Sequence, residues 1–168
     1  MVWIPPEEFL KGVPRAVHGC GVLLFDESDR VLMLHDTPNA ERDATGWSGR
    51  WLWAGGLLDL GEKPADAAIR EVHEETGLTL TREDLRIIGV AFTPATSDWP
   101  TVTDYHFAGP VLSPEQIASI RLSDEHDAWR FAHAHEWRGI AQEPTTHLLD
   151  RLLAAHREGT RDIHFNTE

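Results

Sequence analysis

The chain has 168 residues, 41% of them hydrophobic and 26% charged, with a formal net charge of −13, which suits one globular core better than two and gives no sign of a fibre or a disordered tail. Acids scattered along the whole length repel nucleic-acid phosphates, whose binding rests on Lys and Arg, so a DNA or RNA polymer is not the expected ligand. No apolar run reaches the roughly 18 residues of a membrane span, and the single cysteine, Cys20, rules out an internal disulfide and any multi-cysteine zinc site.

The N-terminal stretch MVWIPPEEFLKGVPR places prolines and acids where a secretory signal needs a basic segment and a long apolar one, so the expected location is the cytoplasm. VHGCGVLLF (17–25) and RVLMLH (30–35) are short apolar runs around the turn-rich DESD, the pattern of a hairpin. Residues 36–50 are polar and aperiodic, a loop long enough to be functional. WLWAGG then reads as a strand with Trp51 and Trp53 on one side. Pro64 suits a first helical turn and Gly77 a helix stop. LRIIGVAFTPA and TVTDYHFAGPVL follow as strands, and SPEQIASI as a helix in which Ser113 and Gln116 have capping-box spacing. DAWRFAHAHEW alternates like a strand, with Trp129, Phe131, His133 and His135 on one face. PTTHLLDRLLAAHREG sets Leu148, Leu149, Leu152 and Leu153 on one stripe and stops at Gly159, an amphipathic packing helix. Strands mixed with helices in a chain of this size predict an α/β or α+β sandwich.

The helix after Pro64 poses an electrostatic problem. At 3.6 residues per turn, Glu71, Glu74 and Glu75 fall within an arc of roughly 100°. Glu71 and Glu75 are like charges at i,i+4, and Glu74 and Glu75 face the negative end of the helix dipole. Arg70 is expected to compensate only one of them. Ala65, Ile69 and Val72 on the adjoining face can hold the helix against a sheet while the acids point away. Such a nest of hard oxygens suits Mg²⁺ or Mn²⁺, whose charge would replace the missing cations. A solvated acidic face is the alternative, and the flanking sequence favours the metal: Gly55 and Gly56 permit close backbone approach, and LLDLGE turns Glu62 back towards the helix.

Gly56, then five residues, Glu62, then seven, then REVHEETGL fills the nine fixed positions of the Nudix box over residues 56–78, and in this the chain resembles the Nudix hydrolase family. Ala54 stands where Pro often precedes the paired glycines, and Asp59 where Glu is frequent; neither is a ligand position. The resemblance implies a Nudix-type α/β/α sandwich with a mixed sheet, a single domain over 1–168, and Mg²⁺-dependent cleavage, with Mn²⁺ able to substitute, of a nucleoside diphosphate linked to another moiety. It further implies that Glu74 and Glu75 are metal ligands, that Glu71 is a ligand or the base that activates water, that Glu62 is a supporting acid, that Arg70 orients a box glutamate, and that Gly55 offers its carbonyl to metal. A homodimer is also compatible with the family.

Outside the box, Glu125 in LSDEHDAW is the candidate for the extra loop glutamate that family members often add, as ligand or base. His126 reads as an exposed histidine, and His133 with His135 as a strand pair lacking a third metal ligand. Trp47, Trp51 and Trp53 cluster before the box and are candidates for stacking on a nucleobase, although burial is the usual fate of an indole; Arg50 is a candidate phosphate fork. Two other readings of the same residues stay open: a prenyl diphosphate isomerase using Cys20, and a nucleotide-sensing module that does no chemistry.

Overall fold

The computed structural model describes residues 3–13, 15–39, 48–97 and 99–165. A short helix, α1 (Pro6–Lys11), precedes β1 (Ala16–Phe25), β2 (Val31–Asp36), β3 (Trp51–Leu52), α2 (Pro64–Thr76) and a 3₁₀ turn at Arg82–Asp84. β4 (Arg86–Thr93), β5 (Thr101–Val111), α3 (Pro114–Ala118), β6 (His126–Ala132), α4 (Ala134–Trp137), α5 (Glu143–Glu158) and β7 (Asp162–Phe165) complete it.

The strands form one sheet in the order β3-β2-β1-β5-β4-β7, with β6 also pairing β2. It is mixed: β1–β5 and β4–β7 are parallel, and the other named pairs are antiparallel. Side chains alternate across a strand, and β1 uses both faces. Cys20, Val22 and Leu24 meet Ala67, Ala68 and Val72 of α2, while Leu23 and Phe25 meet Leu149, Leu152 and Leu153 of α5. The run GVLLF is continuously apolar because it is buried on both sides. Helices cover both faces of the sheet, the α/β/α sandwich of the sequence reading.

The two main helices begin and end where the sequence marks them. Proline sits in the first turn of each, and Gly77 and Gly159 close them in the left-handed conformation, at φ 73° and 67°. Ser113 accepts the Gln116 N–H, and Gln116 accepts the Ser113 N–H, in the expected capping box.

Three elements differ from expectation. WLWAGG is a strand only at Trp51–Leu52; beyond it, Ala54 and Leu57 touch β1 through isolated bridges to Val22 and Gly19. The alternation in DAWRFAHAHEW stops being a strand at Ala132. His133 precedes α4 and donates its N–H to the Glu136 carboxylate at 2.8 Å. Its ring and that of His135 stack with centroids 5.6 Å apart, so they are not a same-face strand pair. Trp137 drives this change: its buried indole donates to Val31 O at 3.1 Å, and a helical turn brings it to the α5 side of the sheet. The third difference is β7, an edge strand anchored by the Arg151 fork on Asp162 at 2.6 and 2.9 Å, which carries no alternating apolar signal of its own.

Candidate active site

The segment between β3 and α2 is laid along β1 by main-chain hydrogen bonds: Val22 N–H to Ala54 O and Cys20 N–H to Gly56 O, both 2.8 Å, and Leu58 N–H to His18 O at 2.9 Å. The two glycines make this approach feasible. A Cβ on Gly56 would stand 2.6–2.7 Å from the Glu71 carboxylate, so the absence of a side chain is what lets Glu71 lie against this turn. The loop 57–63 then returns the chain to the start of α2.

Arg70 gathers this loop and the helix together. Its guanidinium donates to both Glu62 oxygens (3.1 and 2.9 Å), to Glu71 Oε1 (2.8 Å), to Glu74 Oε2 (3.1 Å) and to the Leu57 carbonyl (3.0 Å). The forked contact holds the Glu62 carboxyl below its ordinary range, and the same contact raises Arg70. Burial pushes Glu71 up, against the hydrogen bond from Arg70. Glu74 is the outermost of the three helix acids, with 55% of its side chain exposed.

Glu75 is the anomaly. Its residue exposure is 6%, it accepts the Gly55 N–H at 2.9 Å, and it has no guanidinium. Burial, augmented by the like charges of Glu71, Glu125 and Asp36, raises its carboxyl to about 8 although the Gly55 bond opposes the shift. The charge of Glu125, on the turn before β6, raises Glu71 as well. His126 is not exposed: 9% of its side chain is accessible, and Nε2 lies 3.8 Å from Glu75 Oε1 and 4.0 Å from Asp36 Oδ1.

The neighbouring loop is fastened on two sides. Arg121 and Ser123 donate main-chain N–H groups to Thr76 O and Glu75 O at 2.8 and 3.4 Å, and Thr37 N–H donates to Glu125 O at 2.8 Å. The end of β2, the end of α2 and the start of β6 thus converge on Glu75.

A family model for the NUDIX domain matches residues 15–156, which contain all of these groups. The chain belongs to the Nudix family. It is 30% identical over 109 residues, 63% of its length, to an uncharacterised Nudix hydrolase of Listeria innocua. It spans 26%, 60% and 34% of the length of three curated relatives it matches. Among solved structures, a MutT protein of Methanosarcina mazei superposes with a TM-score of 0.66 at 21% identity, covering 88% of this chain and 98% of that one. A bifunctional NMN adenylyltransferase/ADP ribose pyrophosphatase of Francisella tularensis, in complex with AMP and an Mn ion, superposes with a TM-score of 0.65 at 20% identity over 88% and 44% of the two chains. These superpositions establish a Nudix fold.

The donor chemistry of the Nudix helix fits a divalent cation: hard carboxylate oxygens, one of them buried and short of positive charge. Among the described residues, no three His, Cys, Asp or Glu side chains already close tightly enough to encircle an ion; Arg70 stands among Glu62, Glu71 and Glu74 instead. Bringing Glu74 and Glu75 onto a metal requires those carboxylates to draw together, and the 55% exposure of Glu74 leaves it free to turn.

Trp47 lies outside the described residues. Trp53 is spent in the core, 9% exposed and edge-on to His106 at 5.6 Å, so it is a packing residue and not a stacking platform. Trp51 is half-buried, 5.0 Å from the His35 ring and 5.3 Å from Trp137. Arg50 is half-buried, and its carbonyl accepts the Asp36 N–H at 2.8 Å. Asp36 is the residue that sequence reasoning passed over, because its role depends on strand pairing rather than on local spacing.

Arg70 supplies a first test. Arg70→Ala should lower activity at least tenfold and lower the melting temperature, since it leaves Glu62 and the partly buried Glu71 without their cation. Arg70→Lys should recover little, because an ammonium cannot fork two carboxylates. Steady-state kinetics and thermal melts of both variants measure these effects.

Proposed function

We propose that this chain is a Mg²⁺-dependent hydrolase, with Mn²⁺ able to substitute, of the diphosphate linkage in a small nucleotide. The observation that carries the reading is Glu75: a buried carboxyl, near the charges of Glu71, Glu125 and Asp36 and without a guanidinium of its own, whose ionised form calls for a cation. Glu74, Glu75 and the Gly55 carbonyl are the groups that would hold metal. When bound, divalent ions neutralise an already anionic diphosphate and acidify or orient the attacking water.

The chain's own groups have distinct tasks in this reading. Arg70 anchors Glu62 and keeps Glu71 directed at the box turn. Glu71, with its affinity for protons raised by burial, is suited to accept one from water; Glu125 is the second candidate for that role. Trp51 and Arg50 precede the box in the chain and are the remaining candidates for base and phosphate contact.

The test is a panel of nucleoside triphosphates, ADP-ribose, a nucleotide sugar and a dinucleoside polyphosphate, incubated with Mg²⁺, with Mn²⁺ or with chelator, with products identified by mass. A phosphate-terminated nucleotide released only in the presence of metal supports the proposal. Intact substrates across the panel, with every metal, would reject it.

The isomerase reading depends on Cys20, and the structure weighs against it. The thiol is buried, its Sγ 3.6 Å from the Gly56 carbonyl, and burial pushes it up to about 11, so it stays protonated at neutral pH. Cys20→Ser is expected to keep hydrolytic turnover within about twofold; a loss of tenfold or more would reopen the role of the thiol.

A further inference from the structure

We propose that His126 is a positioning residue for Glu75, clamping the second oxygen of that carboxylate when the metal site is filled. The inference rests on the metal-dependent reading above and extends it to a residue outside the box.

The geometry that brings His126 there is specific. β2 and β6 pair in antiparallel register from Val31↔Ala132 to His35↔Ala128, and the next pair is Asp36↔His126, not Asp36↔Asp127. One extra residue on β6 forms a bulge, a device that re-aims a side chain. It turns Asp127 away, where its carboxylate meets His35 Nδ1 at 2.5 Å. It also sets His126 beside Asp36, on the side where Glu75 lies. Without the bulge the acid Asp127 would take this place, adding a further negative charge to Glu75.

Glu75 is then held from three directions. Gly55 N–H donates to Oε2 at 2.9 Å, Ser123 N–H approaches the Glu75 main-chain carbonyl at 3.4 Å, and His126 Nε2 faces Oε1 at 3.8 Å. Nε2 is flanked by oxygens of Glu75 and Asp36, and the clamp requires the tautomer in which this nitrogen carries the hydrogen. At 3.8 Å the hydrogen bond is not yet formed; contacts of this kind commonly lengthen in the unliganded state and tighten in the working complex. Each carboxylate oxygen has two lone pairs, so Glu75 can take both N–H groups and still face a cation. Partners that orient a ligand in this way are typically worth about 10–100-fold in metal affinity.

The experiment is Mn²⁺ binding, followed by electron paramagnetic resonance with Mg²⁺ competition, for wild type, His126→Ala and His126→Gln, with a thermal melt of each. Gln places an amide N–H near the position of Nε2. The expected result is about tenfold weaker Mn²⁺ binding for Ala, recovery to within about threefold of wild type for Gln, and an unchanged Mn²⁺/Mg²⁺ preference in both. Wild-type affinity in His126→Ala would overturn the inference and leave the metal reading standing. Equal weakening by Ala and Gln, with both melting like wild type, would overturn it as well. A shift in metal preference would also do so, by making the ring a direct ligand. Absence of Mn²⁺ binding by wild type would overturn the metal reading itself, and this inference with it.

Discussion

Replacing Glu75 by Gln is expected to cut turnover on the order of 10³-fold while making the metal-free protein more stable. The activity loss follows from removing one full charge from the groups that would hold metal, where cation stabilisation contributes several kcal/mol and each 1.36 kcal/mol is tenfold. The gain in stability follows from the same charge. In the folded chain the Glu75 carboxyl is raised to about 8 from the ordinary 4.5, so between those values the native state binds a proton that the unfolded state releases. Stability conferred by the neutral form is fully present below about pH 4.5 and is lost as pH rises through about 8. At pH 8 the penalty is roughly 2–4 kcal/mol, and at about 2–4 °C per kcal/mol for a chain of this size the Gln variant should melt about 4–16 °C higher in chelator. Its advantage should also shrink towards pH 6.5. Melts restricted to pH 6.5–8.5 keep the comparison clean, because buried His106, lowered to about 4 by desolvation, is neutral in the native state throughout. A melting temperature in chelator that falls on substitution would show that Glu75 is adequately compensated without metal.

The second large effect is expected at Gly55. Its φ is +156°, and a Cβ there would stand 2.1 Å from Cys20 O, 2.9 Å from Cys20 C and 2.7 Å from Gly21 Cα. These are backbone atoms of a strand buried on both faces, so no flexible side chain can give way. Gly55→Ala should destabilise the fold by about 4 kcal/mol or more, a fall of some 8–16 °C, and displace the N–H that holds Glu75. Gly61 provides the comparison. It also has positive φ, +82°, but nothing lies within 4 Å of its would-be Cβ, so Gly61→Ala should cost only the backbone strain, about 1 kcal/mol. Thermal melts of the two variants separate close approach from conformational preference, and equal losses would refute the packing argument.

What the sequence expressed plainly was local. The acids of α2 are legible because helix periodicity converts spacing directly into a shared face, and the residues 70, 71, 74 and 75 need no distant contact to be recognised as a misfit. The helix boundaries were legible for a similar reason: Pro64, Gly77 and Gly159 act within one turn. Glu125 was read from its place ahead of β6, and its charge acts on Glu71 and Glu75; its part as ligand or base stays a proposal. Asp36 was passed over, and His126 was read as exposed, because they meet through a bulge between strands 90 residues apart, and pairing register is invisible in local spacing. Trp53 was one of three candidates for either stacking or core packing, and it lies in the core. Its neighbours Leu23, Ile88 and Leu152 come from three other elements, and no local pattern places them together. The run AHAHEW shows the same limit from another side: alternation alone fits a strand, and burial of Trp137 makes it a helical turn.

Anomalous diffraction from crystals soaked in Mn²⁺ and a non-hydrolysable nucleotide analogue tests most directly whether these glutamates exist to hold divalent ions against a diphosphate. The account predicts an anomalous peak in contact with Glu75 and Glu74, joined to the analogue's phosphate oxygens, with Glu74 released from Arg70. Glu74 still paired with Arg70, Glu75 on the Gly55 N–H alone, and no peak between them would contradict it.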